Sequence, residues 1–243
     1  MLNGDSEKKI EELKRIIAES DNIVFFGGAG VSTESGIPDF RSVDGLYNQK
    51  YKYPPEVMVS HSFYVSHPEE FFEFYKNKMI ALWAKPNAAH MKLAQLEEEG
   101  KVKAVITQNI DGLHYAAGSK EVLELHGSVH RNYCERCGKS YPVEYITEAE
   151  GVPLCECGGR VKPDVVLYEE GLDYDTMQKA IAYIRNAEVL IIGGTSLAVY
   201  PAAGFIDYFR GKHLVVINMD QTNRDVNADL VIREKIGEVF SRL

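Results

Sequence analysis

No run of eighteen or more apolar residues occurs in this 243-residue chain, which excludes a conventional helical membrane span. Positive charge is also in short supply. Against 36 acidic residues stand 27 lysines and arginines, a formal charge of −9 with a pI near 5.3. That balance argues against nucleic acid as the main partner, because phosphate backbones need a basic surface. An acidic surface suits lysine-rich protein segments instead. The stretch from Met1 to Lys9 is polar and lacks a signal-peptide core, so the expected location is the cytoplasm. Internal repeats and low-complexity tracts are missing, and cysteine occurs only four times.

What is present reads as an ordinary globular protein, with 45% hydrophobic and 26% charged residues. The length accommodates one large domain, or one domain carrying small insertions.

The most informative run is Gly28-Ala29-Gly30-Val31-Ser32-Thr33-Glu34-Ser35-Gly36-Ile37-Pro38-Asp39-Phe40-Arg41. It follows Ile23-Val24-Phe25-Phe26, four apolar residues that predict a buried strand. A strand emptying into small residues lets backbone approach a ligand and lets amides face phosphate oxygens. Pro38 then stops any helix, leaving a carboxylate, an aromatic ring and a guanidinium on a loop above the glycines. Short glycine patterns also occur as plain strand-to-helix turns. This one departs from the usual dinucleotide fingerprint, since Thr33 stands where a third glycine belongs and no acidic residue ends a second strand about 20 residues later. A bound nucleotide would have to be read from elsewhere in the chain.

The four cysteines form two pairs, Cys134-x-x-Cys137 and Cys155-x-Cys157. In a reducing compartment such pairs predict a metal site, and four thiolates suit a closed, structural, tetrahedral zinc. The second pair is one residue tighter than is usual.

Ile10, Leu13, Ile16 and Ile17 repeat at helical spacing behind Ser6, an expected N-cap. Ser66-x-x-Glu69 with Pro68 predicts a capped helix reaching about Trp83, and another helix spans Asn87 to Glu99, ended by Gly100. Strands are predicted at Val102–Ile106, Val165-Val166-Leu167, Val189–Ile192 and Leu214–Ile217, with a helix over Asp175–Arg185 and another opened by Pro201. Apolar strands alternating with helices indicate an α/β fold, a doubly wound parallel, Rossmann-like sheet with a small zinc-ribbon module and a helical insertion. Residues 1–41, 87–127 and 163–243 are assigned to the Rossmann-like domain, 42–86 to the helical insertion and 128–162 to the zinc-binding module.

Ligands of such sheets bind at strand C-termini. Four such ends carry polar or small residues: Gly28–Arg41, Gln108–Asp111, Gly194–Ser196 and Asn218–Asp220. His126-Gly127 follows the apolar-alternating Val122–Leu125, and a histidine there can serve as a general base near neutral pH. The remaining histidines have no comparable context.

Taken in order, Gly28-Ala29-Gly30-Val31-Ser32, Gly36-Ile37-Pro38-Asp39-Phe40-Arg41, Thr107-Gln108-Asn109-Ile110-Asp111, His126-Gly127, the paired cysteines, Gly194-Thr195-Ser196 and Asn218 resemble the sirtuin (Sir2) family, over about residues 10–240. The resemblance implies an NAD-dependent protein-lysine deacetylase with NAD as co-substrate, structural zinc, and acetylated lysine-containing proteins or peptides as partners. In that family the acyl oxygen attacks the ribose carbon bearing nicotinamide, and an alkylimidate-like intermediate rearranges to release lysine and O-acetyl-ADP-ribose. By the same resemblance His126 and Asn109 are catalytic. Gly28, Ala29, Gly30, Thr33, Asp39, Phe40 and Arg41 surround the phosphates and reacting ribose. Ile37, Ile110 and Asp111 take the nicotinamide, and Gln108, Asn109 and His126 face the ribose hydroxyls. Gly194, Thr195, Ser196, Asn218, Met219, Lys235 and Ile236 enclose the adenosine. The acyl-lysine peptide lies against Val165, Val166, Leu167 and Tyr168 on one side and Leu197 and Val199 on the other, adding as an extended strand.

Two further departures matter. Tyr168-Glu169-Glu170 replaces the family's frequent Phe-Gly-Glu run, placing an extra carboxylate near the peptide channel, where it is expected to favour basic residues beside the lysine. Tyr75-x-x-Lys78 stands where relatives that remove acidic acyl groups carry Tyr-x-x-Arg, and lysine is not a bidentate carboxylate fork. With Asp39 kept, neutral acyl groups are expected over acidic ones. The competing readings are a sirtuin-like mono-ADP-ribosyltransferase, a non-catalytic NAD-sensing module and a zinc-ribbon nucleic-acid binder.

Overall fold

The computed structural model of the chain describes residues 4–39, 45 and 52–243. Its strands are β1 (Ile23–Gly27), β2 (Val102–Thr107), β3 (Val122–Glu124), β4 (Gly127–Cys134), β5 (Ser140–Tyr141), β6 (Val161–Val165), β7 (Val189–Gly193), β8 (His213–Ile217) and β9 (Leu230–Ile232). The helices are α1 (Gly4–Ala18), α2 (Pro55–Met58), α3 (His61–Ser66), α4 (Pro68–Phe74), α5 (Ala88–Glu98), α6 (Leu113–Ala117), α7 (Val143–Glu148), α8 (Tyr174–Asn186) and α9 (Ile236–Phe240).

Six strands form one sheet in the order β3-β2-β1-β7-β8-β9, with every adjacent pair parallel. Counted within the sheet alone this is 3-2-1-4-5-6, the doubly wound order, and the winding reverses between β1 and β7. All five residues of β1 and of β7 are buried, as required when helices cover both faces. The two-residue period of a strand sends Phe25 and Phe26 to opposite sides. Phe25 joins Leu13, Leu93, Ile191, Val215 and Phe240 in one core, while Phe26 joins Ile106, Ile184, Leu190, Phe205 and Val216 in the other.

Beside this sheet, β5-β4-β6 form a three-stranded antiparallel sheet holding the cysteines. It does not stand alone. Phe63, Tyr64, Phe71, Phe72 and Tyr75 of the helical insertion share a third core with Val129, Tyr141, Ile146, Val161 and Val165 of the cysteine segment. The two insertions therefore build one small domain together.

Several local expectations are corrected. Val165 closes β6, which runs antiparallel to β4 in the small sheet, and Val166 and Leu167 lie outside any strand. The cause sits at Gly127, whose φ of 76° turns the chain leaving His126 back against Asp164 and Val165. The strand β9 was not foreseen; three residues followed by Arg233 give little periodicity to read. Ser66 ends α3, a helix capped by Ser60 Oγ accepting from the Phe63 amide at 3.2 Å, and the Ser66 hydroxyl donates to the Ser62 carbonyl; α4 then starts at Pro68 behind His67, with no side-chain cap. Ser6 lies inside α1, and its hydroxyl donates to Glu234 at 2.6 Å. The helix expected to reach Trp83 stops at Phe74 and continues as a π-helical turn over Tyr75–Met79.

Candidate active site

A cleft of about 440 Å³ opens at the C-terminal ends of the parallel strands, beneath the small domain. The reversal between β1 and β7 creates it. There the two loops touch: the Gly30 amide donates to the Gly194 carbonyl at 2.7 Å, and a Cβ on Gly30 would lie 2.8 Å from the Gly194 Cα. Only residues without side chains allow that approach. The rest of the loop is braced from behind by Asn87, whose Nδ2 donates to the Val31 carbonyl at 2.7 Å and the Ser35 hydroxyl at 3.0 Å. The Asn87 Oδ1 also accepts from the Ala89 amide, and His90 Nδ1 accepts from the Asn87 amide, so one reciprocal cap opens α5 and anchors the loop.

Lining the cleft from the first strand end are Gly28, Ala29, Gly30, Thr33, Ile37 and Asp39; from the second come Gln108, Asn109, Ile110 and Asp111. His126 faces the same space, as do Gly194, Thr195 and Ser196 after β7, Asn218 and Met219 after β8, and Lys235 and Ile236 at the start of α9. Val165, Val166, Leu167, Tyr168 and Val199 complete the walls. Leu197 is placed differently. Its side chain is buried in the core with Val24, Phe26 and Ala180, behind the wall it was expected to form. Phe40 and Arg41 lie outside the described residues.

The polar groups are fixed to one another. The Asn109 side-chain amide donates to the Ser32 hydroxyl at 3.0 Å, and that hydroxyl donates to Asp111 Oδ2 at 2.6 Å. The other Asp111 oxygen accepts from the Leu113 amide at 2.9 Å. Gln108 Nε2 donates to the Thr195 hydroxyl at 3.0 Å, joining the end of β2 to the end of β7. His126 Nδ1 sits 2.9 Å from the Gln108 carbonyl. A carbonyl only accepts, so Nδ1 carries the proton and Nε2 is the basic nitrogen of the neutral ring. Burial lowers the His126 pKa, with the Gln108 carbonyl opposing, so the ring is neutral at physiological pH.

Sequence reasoning missed Ser32 as the link between Asn109 and Asp111, and Val59, Lys78, Met79 and Glu234 as cleft residues. Ser32 stood in the glycine motif, where a hydroxyl two residues from Gly30 was the available signal. Tyr75 is buried in the small-domain core, whereas Lys78 lines the cleft. Glu169 and Glu170 are both engaged: Glu169 accepts from Ser62, and Glu170 from Lys162 and the Leu167 amide. Both also line the cleft beside Tyr168, where a carboxylate was expected.

The sulfur atoms of Cys134, Cys137, Cys155 and Cys157 all lie within 4.8 Å of one another, with pairs at 3.5 and 3.6 Å. Tetrahedral zinc at about 2.3 Å from each sulfur needs separations of about 3.8 Å, so the set fits despite the tight second pair. The Tyr141 hydroxyl donates to Cys155 Sγ at 3.0 Å, a partner that orients this ligand.

The Sir2 family model matches residues 28–201. An NAD-dependent protein deacetylase of Clostridium acetobutylicum is 63% identical over 236 residues, covering 96% of each chain, and one of Clostridium perfringens is 61% identical over 98% of this chain and 99% of that one. A solved Sir2 structure with p53 peptide and NAD+ superposes with a TM-score of 0.86 at 43% identity, covering 96% of both chains.

Proposed function

The chain belongs to the Sir2 family, and from that premise we propose that it removes acetyl groups from protein lysines while consuming NAD. It is an NAD-dependent protein deacetylase whose substrates are acetylated lysine peptides. The observation that carries this reading is one cleft in which Asn109, Asp111 and His126 meet the glycine loop on one side and the Val165–Tyr168 wall on the other.

When bound, NAD supplies a ribose carbon at which nicotinamide can be exchanged for the acyl oxygen of the lysine amide. Ala29 and Thr33 hold the phosphates. Ile37 and Ile110 form an apolar nicotinamide pocket, and Asp111, kept in place by Ser32 and the Leu113 amide, accepts from the carboxamide. Gln108 and Asn109 position the ribose hydroxyls. His126 Nε2 takes a proton from one of them, a role supported by its bound Nδ1 and neutral ring. Thr195, Ser196, Asn218, Met219, Lys235 and Ile236 enclose the adenosine. The peptide lies between Val165–Tyr168 and Val199, and the pocket takes neutral acyl chains because Asp39 faces the same space. Among the described residues no helix is long and apolar enough to cross a membrane, and four unpaired cysteines suit a reducing cytoplasm.

The test is an acetylated peptide incubated with and without NAD and read by mass spectrometry. Nicotinamide release that requires the acetyl-lysine, with O-acetyl-ADP-ribose as product, supports deacetylation. Release without acetyl-lysine, with ADP-ribose on the peptide, would make the chain a transferase. In His126→Ala, deacetylated product should fall about 10²–10⁴-fold while acetyl-dependent nicotinamide exchange persists.

A further inference from the structure

The wall that receives the peptide ends in a strained residue. Glu169 adopts φ of 76°, in the left-handed region where a side chain costs free energy unless neighbours enforce it. Its carboxylate is exposed, yet one oxygen, Oε2, accepts from both the Ser62 amide at 2.8 Å and the Ser62 hydroxyl at 2.6 Å. Flanking bonds run to the same place. The Tyr168 amide donates to the Val59 carbonyl at 3.1 Å, and the His61 amide donates to the Tyr168 carbonyl at 3.0 Å. Glu170 Oε1 lies 2.9 Å from His61 Nδ1.

Tyr168 and Glu169 form a ridge with the active cleft on one side and a shallow groove over Val57, Phe63 and His67 on the other. With open space on both sides, polar tethers to residues 59–62 take the place of packing. A wall that adds a peptide by strand pairing has to be held at fixed spacing, or binding must supply the ordering.

We propose that Glu169 is a positioning residue for the acetyl-lysine peptide, latching the Tyr168–Glu169 ridge to the start of α3 so that the wall is set before substrate arrives. This rests on the deacetylase reading above. The left-handed backbone is then part of the device: it sets the carboxylate on Ser62.

Glu169→Gly is the direct test, because glycine adopts the left-handed conformation without steric strain and removes both bonds to Ser62. The expected result is a peptide KM raised about fivefold, with kcat and the KM for NAD within about twofold of the parent enzyme. Glu169→Gln, which keeps an acceptor oxygen, should recover most of that loss. Ser62→Ala, which removes one donor and leaves the backbone alone, should raise peptide KM about twofold with the same split, and it serves if the glycine variant does not fold. An unchanged peptide KM in Glu169→Gly, or in Ser62→Ala where that variant replaces it, overturns the latch. So does a parallel rise in the KM for NAD, which marks general loosening. The parent enzyme is measured first in the same assay: no NAD-dependent turnover there overturns the deacetylase reading, and the latch with it, whereas normal turnover with an unaffected variant overturns the latch alone.

Discussion

A histidine whose Nδ1 is tied to a carbonyl can offer only its other nitrogen, and at His126 that nitrogen belongs to a residue facing the cleft. Burial has a second effect on it. A pKa held below the ordinary histidine value of about 6.5 keeps the base form dominant into mildly acidic solution. The acidic limb of kcat/KM for the acetyl peptide should therefore begin below pH 6.5, and a profile falling off above that value would contradict the assignment. His126 was legible in the sequence because a glycine and a cysteine segment follow it directly. The Ser32 bridge was only half legible: its place in the glycine motif marks the hydroxyl, but nothing local names a partner 79 residues away.

At the level of elements, the start of α5 does two things at once. Asn87 caps the helix and holds the glycine loop through Val31 and Ser35, so Asn87→Ala should lower stability by about 1–2 kcal/mol, measured by urea unfolding. It should also raise the KM for NAD, because Thr33 and Ile37 lie on the loop it braces. Where α5 meets α6, the rings of His90 and His114 pack 4.7 Å apart in the interior. Burial pushes His90 down to about 4 and His114 to about 3. Both are depressed relative to the unfolded chain, which takes up these protons first as pH falls. Stability is then fully present above about pH 6.5 and declines toward pH 4, and His114→Phe should flatten that decline in thermal melts between pH 7.5 and 5. The long elements were readable, since β1, β2, β7 and β8 are apolar runs closed by small or polar residues. The short ones were not: Ser66 and Glu69 satisfy a capping pattern, yet the chain spends that serine on finishing the preceding helix.

For the whole molecule, the shared third core ties zinc to the roof of the cleft. Cys134 and Cys155 are buried in it beside Phe63, Phe71 and Val161. Stripping the metal with a strong chelator should unfold the small domain and abolish deacetylation, while far-ultraviolet dichroism from the larger sheet persists; full activity after verified zinc loss would show that the cysteines are dispensable. Sequence order could suggest two insertions but not their common interior, because contacts between residues 58–75 and 129–167 leave no local pattern.

The meeting of Gly30 with Gly194 leaves the base of the site no slack. A single added methyl would wedge the two halves of the sheet apart, so this surface cannot be reshaped to suit a new acyl group or peptide. Diversification among such enzymes has to be carried overhead, by the side chains of the overhanging lobe and the tethers that steady its rim.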